Sequence, residues 1–156
     1  MSAAASVTLA FVETAVRRPD VTQAVTRGAA RLLAAMGHGP LTEVRLPNGR
    51  RADVMALGAK GELIICEVKS SREDFTTDRK WVEYAPFCDA FYFAVAPEFP
   101  QVILPEHPGL IVADGFGGAV VREPVVTPLA PARRKALTIA FGRLAALRAT
   151  GCEATV

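Results

Sequence analysis

The chain has 156 residues, enough for one domain that buries roughly two thirds of the surface its unfolded chain would expose. Its formal net charge of +2 is too small to indicate a nucleic-acid partner by itself, and its three cysteines lack metal-ligand spacing. The apolar stretch at the N-terminus is too short to span a membrane and follows no basic segment. We therefore expect a cytoplasmic protein with no membrane partner.

The first predicted element is a helix from about Val21 to Met36. Asp20 is a favourable N-cap, apolar residues recur at helical spacing, and Gly37 ends the pattern. Three strands follow, over residues 41–46, 51–57 and 62–69, and short glycine-containing turns separate them. The sequence thus predicts a sheet that begins with an antiparallel three-strand meander.

The remaining pattern alternates between helix and strand. Residues 71–85 predict a helix, with Ser71 and Asp74 at capping-box spacing, and strands are predicted at 90–96, 109–114 and 119–123. An amphipathic helix opens near Pro131 and carries five basic residues and no acid, namely Arg133, Arg134, Lys135, Arg143 and Arg148. This face is either a phosphate-contacting surface or simply solvated. The order predicts a small α/β (α+β) domain with helices flanking a central mixed sheet.

Side-chain alternation divides the three-strand meander into two faces. The even positions are almost wholly apolar and are expected to pack against a helix; they are Thr42, Val44, Leu46, Ala52, Val54, Ala56, Ile64, Cys66 and Val68. The odd positions include Glu43, Arg45, Asp53, Glu67 and Lys69. One face of the sheet is therefore predicted to collect three carboxylates and two cations.

The second turn of the meander determines which of these side chains meet. A three-residue loop, with Gly61 in the left-handed conformation, would place Asp53 directly opposite Glu67, with Cβ atoms about 4.5 to 5.5 Å apart. Two carboxylates at that distance repel each other unless a cation lies between them, and Mg²⁺ prefers such oxygen ligands. Lys69 would lie about 6 to 7 Å further along the same face, where its ammonium could orient a water or neutralise a phosphate.

A structural interpretation competes with this one. A Glu-x-Lys pair at a strand end is usually a solvated ion pair worth about 1 kcal/mol or less. The acid on the neighbouring strand argues against it, because a purely structural sheet would more often place Lys, Arg or Thr opposite Glu67.

The segments "RRAD" (50–53) and "CEVKSS" (66–71) resemble the motif of the PD-(D/E)XK nuclease superfamily. Over roughly residues 20–124 the chain is similar to the MmcB-type DNA repair proteins of that superfamily, flanked by an N-terminal segment (1–19) and a basic C-terminal helix (125–156) packed on the same domain. The resemblance implies a restriction-endonuclease-like fold and a DNA endonuclease that depends on Mg²⁺ or Mn²⁺. The implied partners are DNA, damaged or branched, and a second copy of the chain or a repair protein.

The resemblance also assigns residues to the site. Asp53 and Glu67 match the metal-binding acids and Lys69 matches the catalytic lysine, and the carbonyl of Val68 would be a further metal ligand. Many members add an acid from the first helix, whereas this chain has none between residues 21 and 42. Glu43 is the candidate replacement: the burial pattern places it beside Asp53, although a two-residue Asn-Gly turn at 48–49 would place it on the opposite face.

Candidate DNA contacts surround this motif: Arg45, Arg51, Ser70, Arg79, Lys80 and Tyr84. Arg79 and Lys80 are equally compatible with an ordinary surface, and Ser70 with a simple strand end. Two other functions remain open at this point. One is a DNA-binding or repair-complex subunit that does not cut, and the other is an interaction protein whose charged face docks a partner.

Overall fold

The computed structural model describes residues 18–72 and 80–152. The elements whose bounds lie within these residues include two helices, α1 (Arg18–Ala35) and α2 (Pro131–Ala149), and the strands β1 (Gly39–Arg45), β2 (Arg51–Leu57), β3 (Leu63–Lys69), β4 (Ala90–Val95), β5 (Gly109–Ala113) and β6 (Gly118–Arg122). Short 3₁₀ helices lie at Lys80–Glu83, Ala85–Phe87 and Gln101–Ile103. Within the described residues, no helix has the length and apolar character needed to cross a membrane.

The six strands form one mixed sheet in the order β1-β2-β3-β4-β5-β6. Strands β1, β2 and β3 are antiparallel neighbours, β3, β4 and β5 run parallel, and β6 returns antiparallel to β5. Helix α1 packs on one face of the sheet and α2 packs on the other. The predicted fold class, a mixed sheet that begins with a three-strand meander and is flanked by helices, is confirmed.

Helix α1 ends as the sequence predicts but begins earlier. Gly37 takes a positive φ of 91°, and the amide of His38 donates to the carbonyl of Leu33, which is the hydrogen-bond pattern of a Schellman cap. Because the helix already includes Arg18, Asp20 lies inside its first turn and is not the N-cap. Its carboxylate still suits that position, since negative charge near a helix N-terminus is favourable.

The predicted helix over 71–85 needs a correction at its end. Residues 73–79, including Asp74 of the proposed capping box, lie outside the described residues, and the end of this region forms two 3₁₀ helices. Pro86 accounts for the irregular end, because its ring disfavours an α-helical residue before it and removes a backbone donor.

The apolar faces of the meander follow the prediction only in part. Even positions of β2 and β3, namely Val54, Ala56, Ile64, Cys66 and Val68, pack under α1. Val44, Leu46 and Ala52 instead join the opposite cluster, with Leu137 and Phe141 of α2. The reason is local: Glu43 has a φ of 51°, and regular alternation cannot continue through a left-handed residue. The pattern therefore changes face at the level of Glu43 and Asp53.

Gly28 brings α1 unusually close to the β5–β6 turn. A Cβ atom at this position would lie 2.0 Å from the carbonyl oxygen of Asp114 and 2.5 Å from that of Gly117. We expect Gly28→Ala to destabilise the protein by about 1 to 3 kcal/mol because of this overlap, although alanine is the better helix former by about 1 kcal/mol. Urea denaturation measures the change.

Gly142 of α2 is the matched control, since nothing lies within 4 Å of a Cβ at that position. Gly142→Ala should stabilise the protein by roughly 0.5 to 1 kcal/mol. Equal stabilisation by both substitutions would contradict the close approach of α1 to the turn.

Candidate metal and catalytic site

The β2–β3 hairpin has the predicted three-residue loop. The amide of Gly58 donates to the carbonyl of Glu62 at 2.8 Å, and the amide of Gly61 donates to the carbonyl of Gly58 at 3.0 Å. Gly61 has a φ of 87°, the left-handed conformation that closes such a loop. The loop therefore sets the register of the two strands that carry the candidate site.

That register places Asp53 opposite Glu67. The regular pairs end at Val54 and Cys66, and the next position along both strands is Asp53 with Glu67. At this position, hydrogen bonds from backbone amides to carboxyl groups replace the backbone ladder. The amide of Asp53 donates to Oε1 of Glu67 at 3.0 Å, and the amide of Val68 donates to Oδ2 of Asp53 at 2.8 Å.

Burial changes the acidity of both carboxyl groups. Loss of solvent, followed by the charge of Asp53, raises the pKa of Glu67 to about 9. Burial also raises the pKa of Asp53, although the Val68 amide opposes the change. The pair therefore retains a proton at neutral pH when no cation is bound. Two opposed oxygen donors of this kind fit a hard divalent cation, which can replace that proton.

Lys69 is buried on the same face as Glu67. Its side chain is 4% exposed, and Glu67 is 6% exposed. In the parallel ladder, Glu67 lies beside Phe93 and Lys69 lies beside Val95. The positive charge of Lys69 acts on both acids, because it lowers the pKa of Asp53 and of Glu67 against the effect of burial. The structure thus brings Asp53, Glu67 and Lys69 together.

The candidate metal ligands are few. Across residues 18–72 and 80–152, no group of three or more His, Cys, Asp or Glu side chains could hold a metal ion. Asp53 and Glu67 are thus a pair of carboxylate donors without a third ligating side chain in this part of the chain. The buried peptide of Val68 lies next to them. The role of the Val68 carbonyl as a ligand stays a prediction. Mg²⁺ tolerates such a small protein contribution because it usually keeps several waters.

Glu43 has the predicted register but lies apart from the buried pair. The amide of Leu46 donates to the carbonyl of Arg50, which closes a three-residue loop rather than a two-residue turn and sets Glu43 opposite Asp53. The Glu43 side chain, however, is 66% exposed, and its Oε1 lies 3.7 Å from Nη1 of Arg51. Glu43 therefore contacts the exposed arginine beside the site rather than the two buried acids.

The predicted DNA contacts divide into exposed, buried and undescribed residues. Arg45 and Arg51 are exposed and line a groove of about 630 Å³ between the β1–β2 hairpin and α2. Ser70 is half-buried just beyond the end of β3. Arg79 and the side chain of Lys80 lie outside the described residues.

Tyr84 is a buried core residue, and its assignment as a DNA contact stays a prediction. Its side chain is buried, and its hydroxyl donates to the carbonyl of Arg51 at 3.2 Å. Nearby, Glu83 accepts from Nε of Arg50 at 2.6 Å, and the carbonyl of Glu83 accepts from Asn48. These contacts hold the start of β2 in place two residues before Asp53.

The basic helix is mostly an anchoring surface. The guanidinium of Arg133 donates to the carbonyl of Pro86, and that of Arg148 donates to the carbonyls of Thr42 and Glu43. Arg134 pairs with Asp89. The other two of the five basic residues, Lys135 and Arg143, are exposed. The basic residues of α2 therefore mainly anchor the helix to the sheet.

Asp89 is a buried charged residue that the sequence patterns do not identify as important. Its carboxylate accepts hydrogen bonds from Arg134 and from the amides of Leu63 and Leu129, both at 2.8 Å. Its signal in the sequence is an acid directly before the apolar strand "AFYFAV". Asp89 connects the start of β3 to α2.

The geometry can be compared with known proteins. The family described as DNA repair protein MmcB-like matches residues 11–156, whereas no curated protein matches the chain significantly. Among solved structures, the SPO1766 protein of unknown function from Silicibacter pomeroyi is similar at 45% identity, with a TM-score of 0.77 over 81% of this chain and 87% of that chain. A repair endonuclease from Pyrococcus abyssi matches at 14% identity over 47% and 39% of the two chains, and its TM-score of 0.30 is too low to carry an argument. On the strength of the family match, the chain belongs to the MmcB-like DNA repair proteins.

Proposed function

We propose that the protein is a metal-dependent deoxyribonuclease of the PD-(D/E)XK type that hydrolyses phosphodiester bonds during DNA repair. The observation that carries the proposal is the buried pair of opposed carboxyl groups, Asp53 and Glu67, with Lys69 next to them on the same face. Burying two acids against each other costs free energy, and a sheet with only a structural role gains nothing that offsets this cost. Strongly perturbed acids of this kind are typical of functional sites.

Each residue has a distinct role in this proposal. Asp53 and Glu67 would hold Mg²⁺ or Mn²⁺, with the Val68 carbonyl as a further ligand. The ion would polarise a phosphoryl oxygen and acidify a bound water. Lys69 supplies a fixed positive charge where negative charge develops on the phosphate during the reaction. Ser70, Arg45 and Arg51, together with Arg79 and Lys80, would contact the DNA backbone.

An aromatic wall supports this chemistry. Phe93, the ladder neighbour of Glu67, packs edge-on against Phe91 at 5.2 Å and against Trp81 at 5.9 Å between ring centroids. The ring of Phe93 limits the access of water to Glu67 from the β4 side. Because electrostatic interactions strengthen when water is excluded, Lys69 acts more strongly on a phosphate here than it would at an open surface.

Cleavage assays test the proposal. The substrates are flap, nicked, branched and single-stranded DNA, each with Mg²⁺ or Mn²⁺. Lys69→Met keeps the buried volume and removes the charge, so we expect the cleavage rate to fall about 100-fold or more. Lys60→Met is the matched control, since Lys60 lies exposed in the β2–β3 loop, and it should cut normally. If wild type and Lys69→Met behave alike on every substrate, the catalytic assignment is wrong.

A second candidate function is a repair-complex subunit that binds DNA without cutting it. The small number of acidic ligands among the described residues favours this alternative. Such a protein would bind DNA with a strong salt dependence that survives Glu67→Ala, and it would yield no metal-dependent product.

A further inference from the structure

The turn between β5 and β6 exposes a large aromatic side chain. Phe116 is 88% exposed at the tip of the segment "DGFGG", residues 114–118. A single exposed apolar residue is ordinary on a protein surface. Its significance depends on whether the backbone is built to hold the ring in that position.

The backbone of this turn is fixed by its own hydrogen bonds. Oδ1 of Asp114 accepts from the amide of Phe116 at 2.8 Å and from the amide of Gly117 at 3.1 Å. The amide of Asp114 donates in turn to the carbonyl of Gly117 at 2.9 Å. Asp114 thus closes the turn on both sides of Phe116, in the manner of an Asx turn.

Helix α1 fixes the same turn from outside. Nη1 of Arg31 donates to the carbonyls of Gly115 and Phe116 at 3.2 and 3.3 Å. Gly28 allows the turn to approach the helix, and the guanidinium of Arg27 lies next to Gly115. The ring is therefore held on an ordered platform, so little conformational entropy remains to be lost when it contacts a ligand.

The platform lies at the same edge of the sheet as the candidate site. Lys69 of β3 pairs with Val95 of β4, and Val95 pairs with Val112 of β5, in a parallel arrangement. The turn after β5 therefore leaves the sheet where β3 ends. Two strand spacings, about 10 Å, separate the two strand ends along this edge, with Lys69 on the α2 side of the sheet and the turn against α1.

The chemistry around Phe116 suits nucleic acid. Arg27 and Arg31 are exposed beside it, and the carboxylate of Asp114 in the same turn is engaged by two amides. A shallow concavity of about 460 Å³ adjoins the ring and is lined by Pro97 and by small residues of β5 and β6. An aromatic face with guanidinium groups beside it is what an unpaired base and its phosphate require.

We propose that Phe116 stacks on an unpaired base of the DNA strand, a few nucleotides from the phosphate at Lys69. This inference rests on the proposed function, and it specifies the substrate as DNA with a single-stranded segment, such as a flap or a gap. A fully paired duplex offers no free base to the ring.

Fluorescence anisotropy with labelled DNA in EDTA measures binding without cleavage. The probes are a single strand, a flap and a blunt duplex. Phe116→Ala should weaken binding of the single strand and the flap about tenfold and leave the duplex unchanged, whereas Phe116→Trp should preserve binding. Val102→Ala is the matched control, because Val102 is 94% exposed and should not affect any of the three probes.

The outcomes separate this inference from the proposed function. If wild type binds the probes and Phe116→Ala binds all three equally well, the stacking role is overturned and the nuclease proposal stands. If Phe116→Ala leaves DNA binding unchanged but abolishes binding of a protein partner, the stacking role is also overturned, and Phe116 is instead a protein contact. If wild type neither binds nor cuts any of the DNAs, the proposed function itself fails.

Discussion

Glu67→Gln is expected to stabilise the metal-free protein by roughly 2 to 4 kcal/mol at pH 8 and to change little at pH 5. Burial raises the pKa of Glu67 to about 9 in the folded protein, from an ordinary 4.5. A carboxyl group with a raised pKa favours folding below its unfolded pKa, and that contribution is lost as the pH rises from about 4.5 to about 9. Glutamine keeps the shape and carries no titrating proton.

Urea denaturation in EDTA at pH 5, 6.5 and 8 measures this difference. Wild type should lose stability over that interval relative to Glu67→Gln, and the two curves should converge at pH 5. Glu106→Gln provides a matched control, since Glu106 is exposed and the substitution changes formal charge equally. Parallel curves for wild type and Glu67→Gln would show that Glu67 ionises normally and is not buried against Asp53.

A divalent cation should remove most of the stability difference between the two proteins. Because a metal that binds only the folded state stabilises it by mass action, Mn²⁺ at 100 times its dissociation constant should add about 2.7 kcal/mol to wild type. At one fixed Mn²⁺ concentration, the gain should be larger at pH 8 than at pH 6, since the cation must displace the proton held by Glu67 and Asp53. Glu67→Gln should gain much less at either pH.

Asp89→Ala is expected to destabilise the protein by about 3 to 5 kcal/mol, the usual cost of removing one partner of a buried ion pair. Asp89 is 6% exposed, and its loss leaves the amides of Leu63 and Leu129 without their acceptor and leaves Arg134 with the carbonyl of Gly61. Burial alone would raise the pKa of Asp89, but these donors hold it below its ordinary value. Its contribution is therefore present at neutral pH and is lost only as the pH falls through that lowered pKa.

Chemical denaturation at pH 7 gives the measurement, and Arg143→Ala on the exposed side of α2 gives the control, which should stay within about 0.5 kcal/mol of wild type. A loss below about 1 kcal/mol for Asp89→Ala would mean that the link between β3 and α2 is not a main source of stability. The same variant should also weaken cleavage, because Asp89 holds the start of the strand that carries Glu67 and Lys69.

Much of the candidate site follows from local chemistry in the sequence. The three-residue loop needs a residue with positive φ at its end, and Gly61 supplies it. This loop brings Asp53 opposite Glu67. Period-two alternation then places Lys69 on the side of Glu67. These features could be predicted because they depend on backbone preferences and on counting along two adjacent strands.

Other features depend on residues far apart in the chain. The alternation of β1 and β2 changes face at Glu43, whose left-handed φ no residue-type rule predicts for glutamate. The same limit applies to the basic helix, since Arg134 and Arg148 find their acceptors only when α2 docks on the sheet. The basic face, for which the sequence left a phosphate-contacting and a solvated interpretation open, therefore serves mainly as an anchoring face.

By itself, the sequence determined the mixed sheet, the β2–β3 register and the three residues that meet at its edge, because turn chemistry and apolar periodicity act over a few residues. Only the tertiary structure decided how acidic those residues are, since the raised pKa of Glu67 comes from the layers packed over it. It also decided that Phe116 is displayed beside Arg27 and Arg31, because α1 and the β5–β6 turn meet across more than eighty residues of chain. Burial and long-range contact are properties of the packed molecule.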